Sequence, residues 1–434
     1  MAEVNLSTFL SSQAVLTTSE SKLVYLQAEV CPGPEIGSAP LALNLAIVLD
    51  KSGSMYAADK LEYVIRAVSH AVDQLRPCDL CSIIAFADKT RVLIPSSQIY
   101  DKESARQMVR RIDQVNVGSG TNMLSALEAA VAEVRKSYSR DRMNHIIVLT
   151  DGQTLNEKEC LQKSVMATEE GISISTIGVG DDFNEKFLLN IANSCRGTSY
   201  YIDQPSDIQE IFARELKGVQ SVVVRNPELR LKLSADVQVR RVYRVKPLIH
   251  DLGTPPTVDR VCTIGLDDLQ QEEIQSLLFE LVLPSRRVGT YRIAQATLAY
   301  SLPGQTDQAV SASNEITISY TEDIAQASVV TPKVMQVIDA VSVFRQQTRA
   351  LQLAESGDSA KATQLLRSAA TQLLQQGQQE LAEQALSEAT RIEMGGRATS
   401  AGTKKLEYGT RKLTQLLGDL PPMEAKISLT KSDA

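Results

Sequence analysis

The chain has 434 residues, 43% of them hydrophobic and 22% charged, with a formal net charge of −7. One hydrophobic core rarely grows to that size, so two or three domains are expected. The acidic balance argues against broad nucleic-acid or anionic-membrane binding, and no run approaches the roughly 20 apolar residues needed to span a bilayer.

The N-terminal MAEVNLSTFL lacks the basic and apolar stretches of a signal peptide, which makes a cytoplasmic location the expectation. SKLVYLQAEV then alternates as a strand does, and CPGPEIGSAP reads as a loop. Leu41 to Asp50 is an apolar run ending in a carboxylate, the pattern of a buried parallel strand. A helix follows with Leu61, Val64, Ile65, Val68, Val72 and Leu75 on one face. Next come the strand LCSIIAFAD, a helix around 101–115, a helix at 123–138 and the strand HIIVLTD. A helix around 157–170, the strand ISISTIGVG, a helix near 184–194, the short strand TSYYID and a helix near 206–217 complete the alternation. The pattern predicts an α/β unit with a doubly wound, mainly parallel sheet.

From 218 the pattern becomes alternating strands separated by Pro and Gly turns, as in a β-sandwich. From 332 it becomes Ala-, Leu- and Gln-rich helices broken at Gly357–Asp358, Gly377 and Gly395–Gly396, with a last helix at 403–418. The expected organisation is strands in 1–40 that join the sandwich, an α/β domain inserted at 41–217, the sandwich at 218–325, helical hairpins at 326–420 and a disordered tail at 421–434. Six scattered cysteines, Cys31, Cys78, Cys81, Cys160, Cys195 and Cys262, do not make a disulfide scaffold. His70, His145 and His250 are too far apart in sequence to suggest His-built chemistry.

Three segments carry the chemistry: Asp50-Lys51-Ser52-Gly53-Ser54, Gly118-Ser119-Gly120-Thr121-Asn122 and Thr150-Asp151-Gly152. Each sits where a strand or loop gives way to a helix, and in an open parallel sheet those places gather at the carboxyl ends of the strands. Ser52, Ser54 and Thr121 offer neutral hydroxyls, and Asp50 and Asp151 offer charge. Mg²⁺ takes near-octahedral oxygen ligands and keeps several waters. Two carboxylates only neutralise such an ion, so it stays electrophilic enough to accept an acidic side chain from outside.

These strings resemble the metal-ion-dependent adhesion site of von Willebrand factor A domains. IGVGDDFNEKFLLNIANSCRGTSYYI and RPCDLCSIIAFAD resemble further parts of that family, and the likeness covers roughly 41–217. The flanking architecture resembles bacterial proteins in which such a domain interrupts a sandwich, and inter-α-trypsin-inhibitor heavy chains. The resemblance implies a non-enzymatic binding function. Ser52, Ser54 and Thr121 would be direct ligands and Asp50 and Asp151 direct or water-mediated ones, holding Mg²⁺ (Mn²⁺ or Ca²⁺ as substitutes). The implied partner is a protein presenting Asp or Glu, with self-association into a homo-oligomer as the alternative and neither nucleic acid nor membrane as a partner.

Competing readings are open at this point. Ser52 and Ser54 could cap the next helix. Asp50 follows a strand as in aspartyl-phosphate phosphatases, although such enzymes usually need a second Asp two residues on, where Ser52 stands. Cys78-Asp79-Leu80-Cys81 has no second C-x-x-C and reads as core filler. The basic residues Arg225, Arg230, Lys232, Arg240, Arg241, Arg244 and Lys246 read as a solvated sheet face. The C-terminal hairpins either take a partner helix or bury their own stripes.

Overall fold

The structure, a computed structural model, describes residues 4–34, 36, 41–154, 156–180, 182–302, 309–310, 313–395, 398–415 and 417. The expected disordered tail 421–434 lies outside them, as do parts of the loops expected at 31–40, whose first two residues end the strand Lys22–Pro32, and after Gly395.

The α/β unit is built on a six-stranded sheet in the order Thr90–Gln98, Leu80–Phe86, Ala42–Asp50, Arg142–Thr150, Ser173–Val179, Ser199–Ile202. Alternate residues of its strands feed two cores. Leu43, Leu45, Ile47 and Leu49 pack with helices Lys60–Gln74 and Ile208–Gln220, while Ala46 and Val48 pack with Met123–Lys136 and Glu185–Ser194. Burial on both faces is why Ala42–Asp50 reads as an apolar run, broken only by Asn44, which donates to the Val134 carbonyl and to Asn144 Oδ1.

The strand Thr90–Gln98, not expected from the sequence, pairs antiparallel with Leu80–Phe86 at the sheet edge. Pro95 and the serines beside it hid the alternation, and an edge is where a strand tolerates proline. The helix expected at 101–115 ends at Arg110, followed by the turn Ile112–Gln114.

A buried polar network ties the last helix of this unit to its sheet. His145 Nε2 lies 3.1 Å from Glu215 Oε1 and its Nδ1 2.6 Å from Ser173 Oγ. Ser175 and Tyr200 donate to the same Glu215 carboxylate at 2.5 and 2.8 Å. Burial opposes the charge on Glu215, but these hydrogen bonds and His145 hold its pKa below the ordinary glutamate value.

The segments on either side of the α/β unit, up to Thr321, form two mainly antiparallel sheets around one core. Val4–Leu10 and Lys22–Pro32 pair with each other, and Lys22–Pro32 pairs in turn with Gln275–Leu283. Ala14–Leu16 joins the other sheet beside Asn314–Thr321. The N-terminal strands therefore complete sheets whose other members follow residue 220, and the α/β unit is an insertion between them. Leu277, Phe279 and Leu281 point into the core shared with Leu229, Leu231 and Leu298 of the facing sheet.

Leu278, Tyr243 and Val245 point the other way, into a third core with the helices Pro332–Glu355, Ser359–Gln375, Gln379–Glu393 and Ser400–Arg411. The hairpins thus bury their apolar stripes against one another and against the outer face of the five-stranded sheet. The last helix, expected at 403–418, is Ser400–Arg411, and it also touches the α/β unit. Tyr408 OH lies 3.1 Å from Ser199 Oγ, and Lys404 Nζ sits 4.0 Å from the Phe183 ring centroid.

Two smaller expectations need correction. Cys78 is exposed, so only Cys81 of that pair fills the core, where burial pushes its thiol up to about 12. The basic segment is not all solvated: Arg244 is buried, and its charge is compensated there by an ion pair with Asp267.

Candidate metal centre

Ala42–Asp50 lies inside its sheet, with Leu80–Phe86 on one side and Arg142–Thr150 on the other. The chain leaves this strand toward one edge and later returns on the other side, so the loops diverge above its carboxyl end and leave a crevice. Asp50 stands at that end, fully buried. Its Oδ1 accepts from the Ser52 amide at 2.7 Å and its Oδ2 from the Thr150 hydroxyl at 2.5 Å. Burial pushes its pKa up to about 6, against the opposing effect of the bonds from Thr150 and Ser52.

The three sequence segments converge. Ser54 Oγ donates to Asp151 Oδ1 at 2.6 Å, with Ser52 Oγ 3.4 Å from the same oxygen and 3.1 Å from Ser54 Oγ. The Gly53 amide donates to the Ser119 carbonyl at 3.1 Å, which joins the first loop to the second. Thr121 sits against Gly152: a Cβ on Gly152 would lie 2.9 Å from Thr121 Oγ1, so only glycine leaves that hydroxyl its place. All five predicted residues, Asp50, Ser52, Ser54, Thr121 and Asp151, therefore surround one crevice.

The capping alternative for the serines fails. Ser52 occupies the cap position of the 3-10 turn Gly53–Asp59 but makes no side-chain cap bond, and the hydroxyls of Ser52 and Ser54 turn toward Asp151. Lys51 is buried, with its ammonium 5.3 Å from the Tyr56 ring centroid.

Two further charged side chains, not expected from the sequence, adjoin the candidate residues. Asp88, in the loop after Leu80–Phe86, accepts from the Ser119 amide at 2.8 Å; bonds from the Ser119 and Gly120 amides hold its carboxyl below the usual range and pin the Thr121 loop. Lys60, the first residue of helix Lys60–Gln74, places its ammonium 2.7 Å from Asp151 Oδ2. A lysine at the positive end of a helix dipole is disfavoured, and that misfit was the signal available in the sequence.

Among the described residues, no group of three or more His, Cys, Asp or Glu side chains could hold a metal ion. The candidate ligand atoms are instead all oxygens, with the Lys60 ammonium beside them: buried carboxylates at Asp50 and Asp151 and hydroxyls at Ser52, Ser54 and Thr121. That donor set suits a small hard cation that retains water, and it suits thiophilic metals poorly.

The inserted α/β unit is a von Willebrand factor type A domain: residues 44–214 match the family model of that description. Residues 332–416 match a second one, described as the Sll0103-like, C-terminal alpha-helical domain. Over 421 residues the chain is 29% identical to the uncharacterized protein sll0103 of Synechocystis sp., covering 95% of this chain and 96% of that protein. It is 26% identical over 196 residues to inter-alpha-trypsin inhibitor heavy chain H2 of Mus musculus, a match to 43% of this chain and 21% of that one. A solved von Willebrand factor type A protein from Catenulispora acidiphila shares the fold, with a TM-score of 0.77 over 95% of this chain and 97% of that chain at 17% identity.

Proposed function

We propose that the protein is a metal-dependent protein-binding scaffold in which Asp50, Ser52, Ser54, Thr121 and Asp151 hold Mg²⁺. An aspartate or glutamate of a partner protein completes the ion's coordination shell. The observation that carries this reading is the approach of the Ser54 hydroxyl to Asp151 at 2.6 Å, which joins side chains 97 residues apart around a crevice made of oxygen donors. The bound ion supplies a Lewis-acidic point; the chain supplies the rest. The buried carboxylates fix the ion, and the uncharged hydroxyls leave it electrophilic toward an incoming carboxylate. Ser52 stands where a phosphatase would carry its second aspartate, so the site is read as binding rather than catalytic.

The test is thermal unfolding of the full chain in Mg²⁺ or Mn²⁺ and in chelator. Metal should raise the melting temperature, and Asp50→Ala and Thr121→Ala should each remove the increase. A wild-type melting curve that does not move in millimolar metal would reject the reading.

A further inference from the structure

Lys60 occupies an improbable place. It opens the helix Lys60–Gln74, where the dipole repels a cation. The two residues before it, Ala58 and Asp59, both adopt left-handed backbone, with φ of 53° and 57°, which non-glycine residues enter only at a cost. Its side chain is 11% exposed although a lysine ordinarily keeps its ammonium in water. Gly180, with φ of +76°, lines its path: a Cβ there would lie 3.2 Å from Nζ. One contact answers all of these features, the 2.7 Å pair with Asp151 Oδ2. The two oxygens of Asp151 are thereby divided. Oδ1 faces the hydroxyls of Ser52 and Ser54, and Oδ2 faces the ammonium.

We infer that Lys60 is the resident counter-cation of the metal centre, an inference that rests on the metal-binding reading above. When the metal is away, the ammonium neutralises Asp151 and keeps the crevice assembled. When the metal is present, the two cations share one carboxylate, and the metal is held less tightly than its oxygen donors alone would hold it. The charges then favour an anionic ligand. Asp50, Asp151 and Lys60 sum to minus one, and Lys51, buried in the same loop, adds a further positive charge; a divalent ion makes the centre net positive, and an incoming carboxylate lowers that charge. Lys60 is thus a specificity-determining residue: it exchanges metal affinity for preference toward an acidic partner.

Calorimetric titration of Mn²⁺ into the chelator-treated full chain tests this, with wild type, Lys60→Met, Lys60→Gln and Asp50→Ala side by side. Lys60→Gln keeps a neutral donor toward Asp151 and serves if Lys60→Met does not fold. Loss of the ammonium should tighten Mn²⁺ binding by about tenfold or more, because a unit charge this close to a shared carboxylate is poorly screened. Asp50→Ala should not bind. Acetate, used as a bare carboxylate probe, should raise the melting temperature of Mn²⁺-saturated wild type more than that of the Lys60 variants. Equal or weaker Mn²⁺ binding without Lys60, or equal acetate shifts, overturns it while leaving the metal centre standing. No Mn²⁺ binding by any of the four proteins overturns the metal-binding reading itself.

Discussion

Thr150 donates its hydroxyl to Asp50 Oδ2 at 2.5 Å, joining the ends of two neighbouring parallel strands inside the crevice. Both side chains are fully buried. Thr150→Val keeps the shape and removes the donor, leaving that carboxylate oxygen without its bond. We expect a loss of about 1–3 kcal/mol in urea unfolding of the metal-free protein. The metal-dependent rise in melting temperature should also shrink, because Asp50 loses its orientation. Unchanged values for both would mean that Thr150 is only filling space.

Gly152→Ala should separate fold from site. The new methyl would sit 2.9 Å from Thr121 Oγ1, and the threonine must move to admit it. The circular dichroism spectrum should match wild type while metal-induced stabilisation falls as far as it does in Thr121→Ala. Retention of the full metal effect would show that Thr121 takes no part.

The His145 and Glu215 pair anchors helix Ile208–Gln220, which leads directly into the strand Val222–Leu233 of the flanking sheet. His145→Ala opens a cavity and deprives a buried carboxylate of a partner. Ser175 and Tyr200 still donate to Glu215, so the lost partner costs about 1–3 kcal/mol. Urea denaturation at neutral pH should show a lower midpoint, and an effect under about 1 kcal/mol would contradict the anchoring role.

His250 sits where the α/β unit, the five-stranded sheet and the last helix meet. Its Nδ1 accepts from Asn193 at 3.2 Å and from Arg411 at 3.5 Å. Burial, with the charges of Arg244 and Arg411, lowers its pKa from 6.5 to about 3. The unfolded chain therefore takes up this proton as pH falls below 6.5 while the folded chain refuses it. The stabilisation is fully present above that pH and is lost on acidification toward 3, by up to about 3 kcal/mol at pH 4. Stability measured from pH 7 to 4 should fall less steeply in His250→Gln than in wild type. Parallel curves would assign the acid sensitivity to other groups.

Much of the α/β unit was legible in the sequence because its signals are local. An apolar run such as Leu43 to Leu49 records burial on both faces, and the stripe from Leu61 to Val72 records a helix with one buried face. That the five candidate residues meet was legible for a related reason: each lies within a short string where a strand or loop gives way to a helix. Thr90–Gln98 was not legible, because an edge strand buries little and its proline mimics a loop. Lys60 and Asp88 were missed because each acts on a partner distant in sequence, Asp151 and the Ser119 loop, and neither string shows that meeting.

The amino-acid order by itself determined the succession of elements and the kinds of ligand atom on offer, since periodicity and side-chain chemistry are written residue by residue. Only the tertiary structure decided which strands became neighbours across the inserted unit, that the helices would cover the five-stranded sheet, and that a helix-opening lysine would face the crevice. Those outcomes depend on the crossing of the chain over the sheet and on the left-handed turn at Ala58 and Asp59, which set distances between groups far apart along the chain.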